Sequence, residues 1–208
     1  MRSISGQFKV VTPPLLIAYL ITFLSLLIVI LISTSKNIAL DTLTKDASET
    51  MNSPFYLGAF STLGVMLWSG AAILCIFTAF QVKNIAGFRE DFYFLLVSAV
   101  LTLILCLDDM FVVHEEVFPK YFAIPENAVI LTYVNLVLIY LILFRNKILS
   151  SEFIVLGLAF FFIGMAKVSD LIPLPIQKDT FLQDAIKLFG IVSWFIYFYR
   201  FCRQVIRS

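Results

Sequence analysis

Charge is scarce in this chain. Only 14% of its 208 residues are Asp, Glu, Lys or Arg, where a soluble domain carries about 25%. Histidine occurs once, as His114, and cysteine three times. Each shortage excludes something. Fifteen basic residues against fourteen acidic ones leave a net charge of +1, which offers no electrostatic footing to a nucleic-acid partner. Cys75, Cys106 and Cys202 are too few and too scattered for a disulfide framework or a thiolate metal site. Cys75 and Cys106 stand inside apolar runs, where cysteine acts as a small hydrophobe. A lone histidine excludes a multi-histidine zinc centre. Alternation of apolar and polar residues is also missing, which argues against a β-barrel.

What the chain does have is hydrocarbon. Hydrophobic residues make up 61% of it, 22 of them phenylalanine, and the mean hydropathy is +0.97. This composition predicts an all-α, polytopic integral membrane protein folded as a single transmembrane helical domain over residues 1–208. Crossing about 30 Å of hydrocarbon takes roughly 20 apolar residues. Six stretches qualify: 14–32, 55–80, 92–113, 128–144, 153–169 and 185–201, with a polar loop at 34–54 that includes a short amphipathic turn around Ile38–Leu43. Thr12-Pro13-Pro14 and Ser53-Pro54 read as helix starts, as does Pro125, and Asp179 or Thr180 reads as a cap for the sixth stretch. Pro119, Pro173 and Pro175 read as turns. Arg2 and Lys9 before the first apolar run resemble a signal peptide, but no A-x-A cleavage pattern follows, so the run is expected to stay as a helix.

Six spans put both termini on one side, together with nine of the fifteen Lys and Arg, including Lys83, Arg89, Arg145 and Lys147. The positive-inside rule makes that side cytoplasmic. A plasma membrane of bacterial type is the expected host. Eleven of the fourteen acids fall in the outer half or the outer loops.

The outer side carries the informative stretch, Cys106-Leu-Asp-Asp-Met-Phe-Val-Val-His-Glu-Glu116. Sixteen almost wholly apolar residues, Phe92–Leu107, precede Asp108 and Asp109. At 1.5 Å per residue they span about 24 Å, which brings Asp108 close to the outer edge of the hydrocarbon. Glu126 opens the fourth span on the same side, Lys167 and Asp170 close the fifth, and Asp184 and Lys187 open the sixth. Four helices thus bring polar groups to one depth. Glu126 and Asp184 also read as helix-start residues favoured by the macrodipole. Lys167–Asp170 and Asp184–Lys187 read as i, i+3 pairs. Glu115 and Glu116 read as a hydrated rim. Asp108, Asp109 and Asp170 resist such readings, because they sit near helix C-termini and an unpaired Asp in a span costs at least about 2.5 kcal/mol.

On one continuous helix, at about 100° per residue, His114 lies roughly 120° from Asp108 and about 140° from Asp109. The sequence therefore predicts no ligand pair between His114 and either aspartate, and any ion site needs neighbouring helices. The expected ligand set is Asp108, Asp109, Asp170, Glu126 and Asp184. His114, Glu115, Lys167, Lys187 and Tyr133 are expected as polar or proton-transferring support, and Asn135 as an interhelical hydrogen-bonding group. An oxygen-rich set favours a hard divalent cation, Ca²⁺, Mn²⁺ or Mg²⁺, over Zn²⁺. Three functions fit: cation or proton handling (transport, conduction or sensing), a metal-dependent hydrolase acting on lipid at the outer interface, and an accessory subunit of a larger membrane complex. A homo-oligomer suits so small a bundle.

Overall fold

In hydrocarbon every backbone N–H and C=O needs an internal partner, so long apolar runs wind into helices. The computed structural model describes residues 4–40, 43, 51, 54, 58–171 and 180–207; for 4–15, 169–171, 180–182 and positions 17, 18, 21 and 25 it describes the backbone alone. The described residues are almost all helical, with no strand among them. It divides into two units, Met1–Leu57 and Gly58–Ser208.

The first unit holds α1 (Ile4–Lys36), a helix of 33 residues. It runs through Thr12-Pro13-Pro14, which corrects the helix start expected there. Proline is tolerated inside membrane helices because the freed carbonyls find other donors. At the far end Asn37 turns left-handed (φ 53°), the Ile38 N–H donates to the Ser33 carbonyl at 3.0 Å, and the Ser33 hydroxyl donates to the Ile38 carbonyl at 2.7 Å. Of the turn expected around Ile38–Leu43, Leu40 and Leu43 are helical, while Asp41 and Thr42 lie outside the described residues.

The second unit holds α2 (Ala59–Val82), α3 (Arg89–Phe111), a π-helical turn (Val113–Val117), α4 (Phe118–Phe122), α5 (Glu126–Leu143), α6 (Arg145–Leu149), α7 (Phe153–Leu171) and α8 (Thr180–Arg207). Among the described residues, four helices are long and apolar enough to cross a membrane: α2, α3, α5 and the Gln183–Arg207 part of α8. In α7 the apolar stretch is Phe153–Val168. The helix α2 begins at Ala59, after Gly58 in a left-handed conformation (φ 73°), and of the start expected at Ser53-Pro54 only Pro54, which is not helical, is described. Ser53, Asp179, Pro173 and Pro175 lie outside the described residues. Pro125 stands extended in front of α5, as expected.

Small residues set the spacing between helices. Ala71, Ala72 and Ala79 of α2, Ala99 of α3 and Ala159 of α7 are all buried, and they let backbones approach as membrane packing requires. α8 contacts both α2 and α7, and α2 contacts α3. Trp194 of α8 is fully buried, edge-on to Trp68 and Phe160, and its indole N–H donates to the Thr102 hydroxyl at 3.1 Å. Thr102 and Ser98 donate in turn to carbonyls one turn back, and Ser98 shares a 2.8 Å hydrogen bond with the Tyr140 hydroxyl of α5. The middle of the bundle is thus apolar, and the hydroxyls of Ser98 and Thr102 there are internally bonded, whereas the buried Thr78 hydroxyl of α2 has no hydrogen-bond partner among the described residues.

Charges are paired at the two ends. At the end holding α6, Lys147 pairs with Asp91 at 2.8 Å and Arg200 grips Glu152 with two nitrogens. At the other end lie Asp108, Asp109 and the turn that follows α3.

A close helix contact involves Gly190 of α8. A Cβ there would lie 2.6 Å from Ile163 Cγ1 and 3.1 Å from the Ala159 carbonyl oxygen of α7, whereas a Cβ on Gly157 would meet nothing within 4 Å. Gly190→Ala is therefore expected to cost about 1–3 kcal/mol through overpacking. Gly157→Ala is expected to be neutral or to gain up to about 1 kcal/mol from helix propensity. Thermal unfolding in detergent compares the two, and equal effects would contradict the α7–α8 contact.

Candidate functional site

The site begins where α3 stops. The sequence predicted helix to Val113, but α3 ends at Phe111 because Val112 turns left-handed (φ 50°), its N–H donating to the Asp108 carbonyl. A β-branched residue there is a genuine outlier, costing about 1–3 kcal/mol. Residues 113–117 then wind as a single π turn, with the Glu116 N–H on the Val112 carbonyl at 2.8 Å. Pro119 lies in the first turn of α4, and left-handed Ala123 (φ 54°) ends α4.

This break brings His114 back over the end of α3. Its backbone N–H donates to Asp108 Oδ1 at 2.9 Å, and its Nδ1 meets Asp108 Oδ2 at 2.6 Å. The Tyr133 hydroxyl of α5 donates to Asp108 Oδ1 at 2.9 Å. The wheel-based expectation that His114 faces away from both aspartates is therefore corrected for Asp108. A helical wheel holds only while the helix continues, and here it stops three residues after Asp108. No residue type signals the break, since valine is among the last residues expected at positive φ.

With Nδ1 committed to Asp108, the imidazole points Nε2 the other way. Glu115 Oε1 lies 3.3 Å from Nε2, and Lys167 Nζ of α7 lies 3.4 Å from it. Lys167 also donates to Glu126 Oε1 of α5 at 2.8 Å. One ligand atom from each of His114, Glu115 and Glu126 falls within 4.8 Å of the other two, a grouping that can hold a metal ion. Asp108 stands behind the imidazole, in the orienting position that carboxylates take behind metal-binding histidines.

Asp109 faces a different neighbourhood. It pairs with Lys187 of α8, and both line a cavity of about 70 Å³ with Asp184, Ser61 and Gly64. The polar end therefore divides into two groups on adjacent faces of α3. Asp108, His114, Glu115, Glu126, Tyr133 and Lys167 form one; Asp109, Asp184 and Lys187 form the other. Lys187 pairs with Asp109, where the sequence suggested Asp184. Asp170 belongs to α7, and its side chain lies outside the described residues. Glu116 pairs with Lys120 at the exposed rim.

Hydrogen bonding to Asp108 raises the His114 pKa above its ordinary 6.5; burial and the Lys167 charge oppose the rise, and Glu115 assists it. A raised folded-state pKa contributes stability that is fully present below about 6.5 and is lost as pH rises through the folded value. In metal-free buffer, the stability gap between the wild type and His114→Gln is expected to be widest on the acid side and to narrow with rising pH. Melting temperatures across pH 5–9 test this, and a gap that widens with pH would contradict the Asp108–His114 pair. Val112→Gly tests the break itself. Relief of strain about cancels or exceeds the entropy cost of glycine, about 0.5–1 kcal/mol. The melting temperature is expected to hold or rise, whereas a continuous helix would lose stability.

No curated protein and no solved structure matches this chain. The profile of one family, described as a domain of unknown function (DUF8692), matches residues 15–201. The match covers most of the all-helical chain, including every member of both polar groups, and this protein belongs to that DUF8692 family.

Proposed function

We propose that this protein is a cation-binding membrane sensor, holding one divalent ion between His114, Glu115 and Glu126 at the extracytoplasmic end of a six-span bundle with cytoplasmic termini, in a plasma membrane of bacterial type. One observation carries the reading: the Asp108–His114 pair aims Nε2 at two carboxylates on separate segments, within 4.8 Å. Three carboxylates (Asp108, Glu115, Glu126) against the Lys167 ammonium leave a local charge of −2 with His114 neutral, enough to neutralise a divalent ion. Lys167 now lies beside both Nε2 and Glu126, so a bound ion competes with its ammonium. Oxygen ligands favour a hard ion, and the imidazole tips the choice among Ca²⁺, Mg²⁺ and Mn²⁺ toward Mn²⁺. Asp109, Asp184 and Lys187 form a polar cavity beside the site and do not contribute ligands in this reading.

Binding without passage is supported by the closed middle of the bundle. Ser98 and Thr102 are fully buried and spend their hydroxyl protons on their own helix. A conducting path needs polar groups free to face an ion.

Mn²⁺ titration of the purified protein in lipid nanodiscs, read by calorimetry or by the free-ion resonance signal, tests the reading. One ion per chain is expected. Glu126→Gln or His114→Gln should weaken binding by at least about tenfold, and Asp108→Asn by about 10–100-fold through the misoriented imidazole. Lys167→Met should strengthen it, and Asp184→Asn should leave it unchanged. Equal affinity in the wild type and Glu126→Gln overturns the site. Mn²⁺ entry into proteoliposomes above the rate of empty ones overturns sensing in favour of transport.

A further inference from the structure

α5 is the least buried of the four candidate spans, with 11% of its window buried against 39% in each of the others. The side facing the bundle carries Glu126, Val129, Tyr133 and Tyr140. At about 100° per residue, Asn135 points almost directly away from that stripe. It is exposed, and among the described residues its side-chain amide has no hydrogen-bond partner. Nine residues, about 13 Å, separate it from Glu126, so it lies near the middle of an 18-residue helix. An amide at that depth is costly in hydrocarbon without a hydrogen-bond partner.

The residues around Asn135 are spaced for helix pairing. Ala128, Leu131, Asn135, Leu138 and Ile142 follow one another at intervals of three, four, three and four. They form one seam with Asn135 at its centre, and Leu131, Leu138 and Ile142 are 61%, 50% and 69% exposed. Alternate intervals of three and four are the knobs-into-holes pattern, and a single asparagine in such a seam fixes register and oligomeric state. An amide carries both donor and acceptor, so it is complementary to a copy of itself. Two copies inserted in the same orientation hold their Asn135 side chains at the same depth.

We propose that the outward seam of α5 is a homodimer interface, in which a second copy of this chain packs along Ala128–Ile142 about a twofold axis normal to the membrane and the two Asn135 amides hydrogen-bond across it. Small Ala128 permits close approach at one end, and Leu131, Leu138 and Ile142 supply the packing. The proposal rests on helix spacing and an unpartnered amide, and is independent of the cation site.

Energy transfer between donor- and acceptor-labelled full-length chains, diluted stepwise with lipid in liposomes, tests it. The wild type should show a reversible monomer–dimer equilibrium. Asn135→Leu leaves the inward face untouched and should weaken dimerisation at least about fivefold. Leu138→Cys should cross-link into a dimer under mild oxidation, and Leu136→Cys, roughly 120° off the seam, should not. The native cysteines are buried, so the wild type is the uncross-linked control. A wild type that stays monomeric at every dilution overturns the proposal. So does Asn135→Leu dimerising as tightly as the wild type, or cross-linking that is equal at positions 136 and 138. Cross-linking of Leu138→Cys only to another protein would identify a different occupant and overturn it equally.

Discussion

The polar end of this protein depends on three donors meeting one carboxylate. Asp108 sits in the last turn of α3, where the helix dipole repels negative charge and the surroundings are largely apolar. A bare carboxylate there would be costly. The chain meets that cost by breaking the helix at Val112 and folding the next turn back, so that a backbone N–H, an imidazole and, from α5, a phenol all point at Asp108. Strain at one residue of about 1–3 kcal/mol is small against charge-assisted hydrogen bonds of about 1.5–3 kcal/mol each. The orientation of His114, the closeness of Glu115 and Glu126 and the position of Lys167 all follow from that arrangement.

The same economy of polar groups shapes the middle of the bundle. Without a hydrophobic drive between helices in lipid, packing and a few internal hydrogen bonds hold them together. Buried alanines and Gly190 bring backbones close, and the Trp194–Thr102 and Ser98–Tyr140 bonds tie α8 to α3 and α3 to α5. Charges are left for the ends, where several are paired: Lys147 with Asp91, Arg200 with Glu152, Lys167 with Glu126, Lys187 with Asp109. At one end the pairs tie α6 to α3 and the α6–α7 linker to α8; at the other they surround Asp108 and Asp109.

Much of this was legible in the sequence, for identifiable reasons. Hydropathy marks hydrocarbon-length helices because the signal is summed over some twenty residues, so the runs at 55–80, 92–113, 128–144 and 185–201 all correspond to helices. Helix ends depend on single residues, and there the reading slipped. Pro13-Pro14 lies inside α1, and α2 waits for Gly58. That Asp108 and Asp109 serve different neighbours follows from adjacency on a helix, about 100° apart, and the two polar groups fall on those faces. His114 was misdirected by the same geometry, applied past the point where the helix ends. Nothing in the residues 112–117 announces a π turn; it is stabilised by tertiary donors meeting Asp108, which local pattern does not encode.

α5 joins the two proposals. Few of its residues are buried, and beside the apolar contacts of Val129, Val137, Tyr140 and Leu141 its inward face is held by polar ones: Tyr133 on Asp108, Glu126 on Lys167 and Tyr140 on Ser98. Its outward face carries the Asn135 seam. A helix so held takes its position from whichever polar contacts are satisfied. If an ion displaces Lys167 from Glu126, the first turn of α5 gains a new anchor, and a partner helix along the seam feels any resulting shift. Linkage then requires the reverse, that dimerisation alters ion affinity by the same factor. If both proposals hold, this two-sided helix is the element through which a binding event at the membrane surface would reach a neighbouring chain.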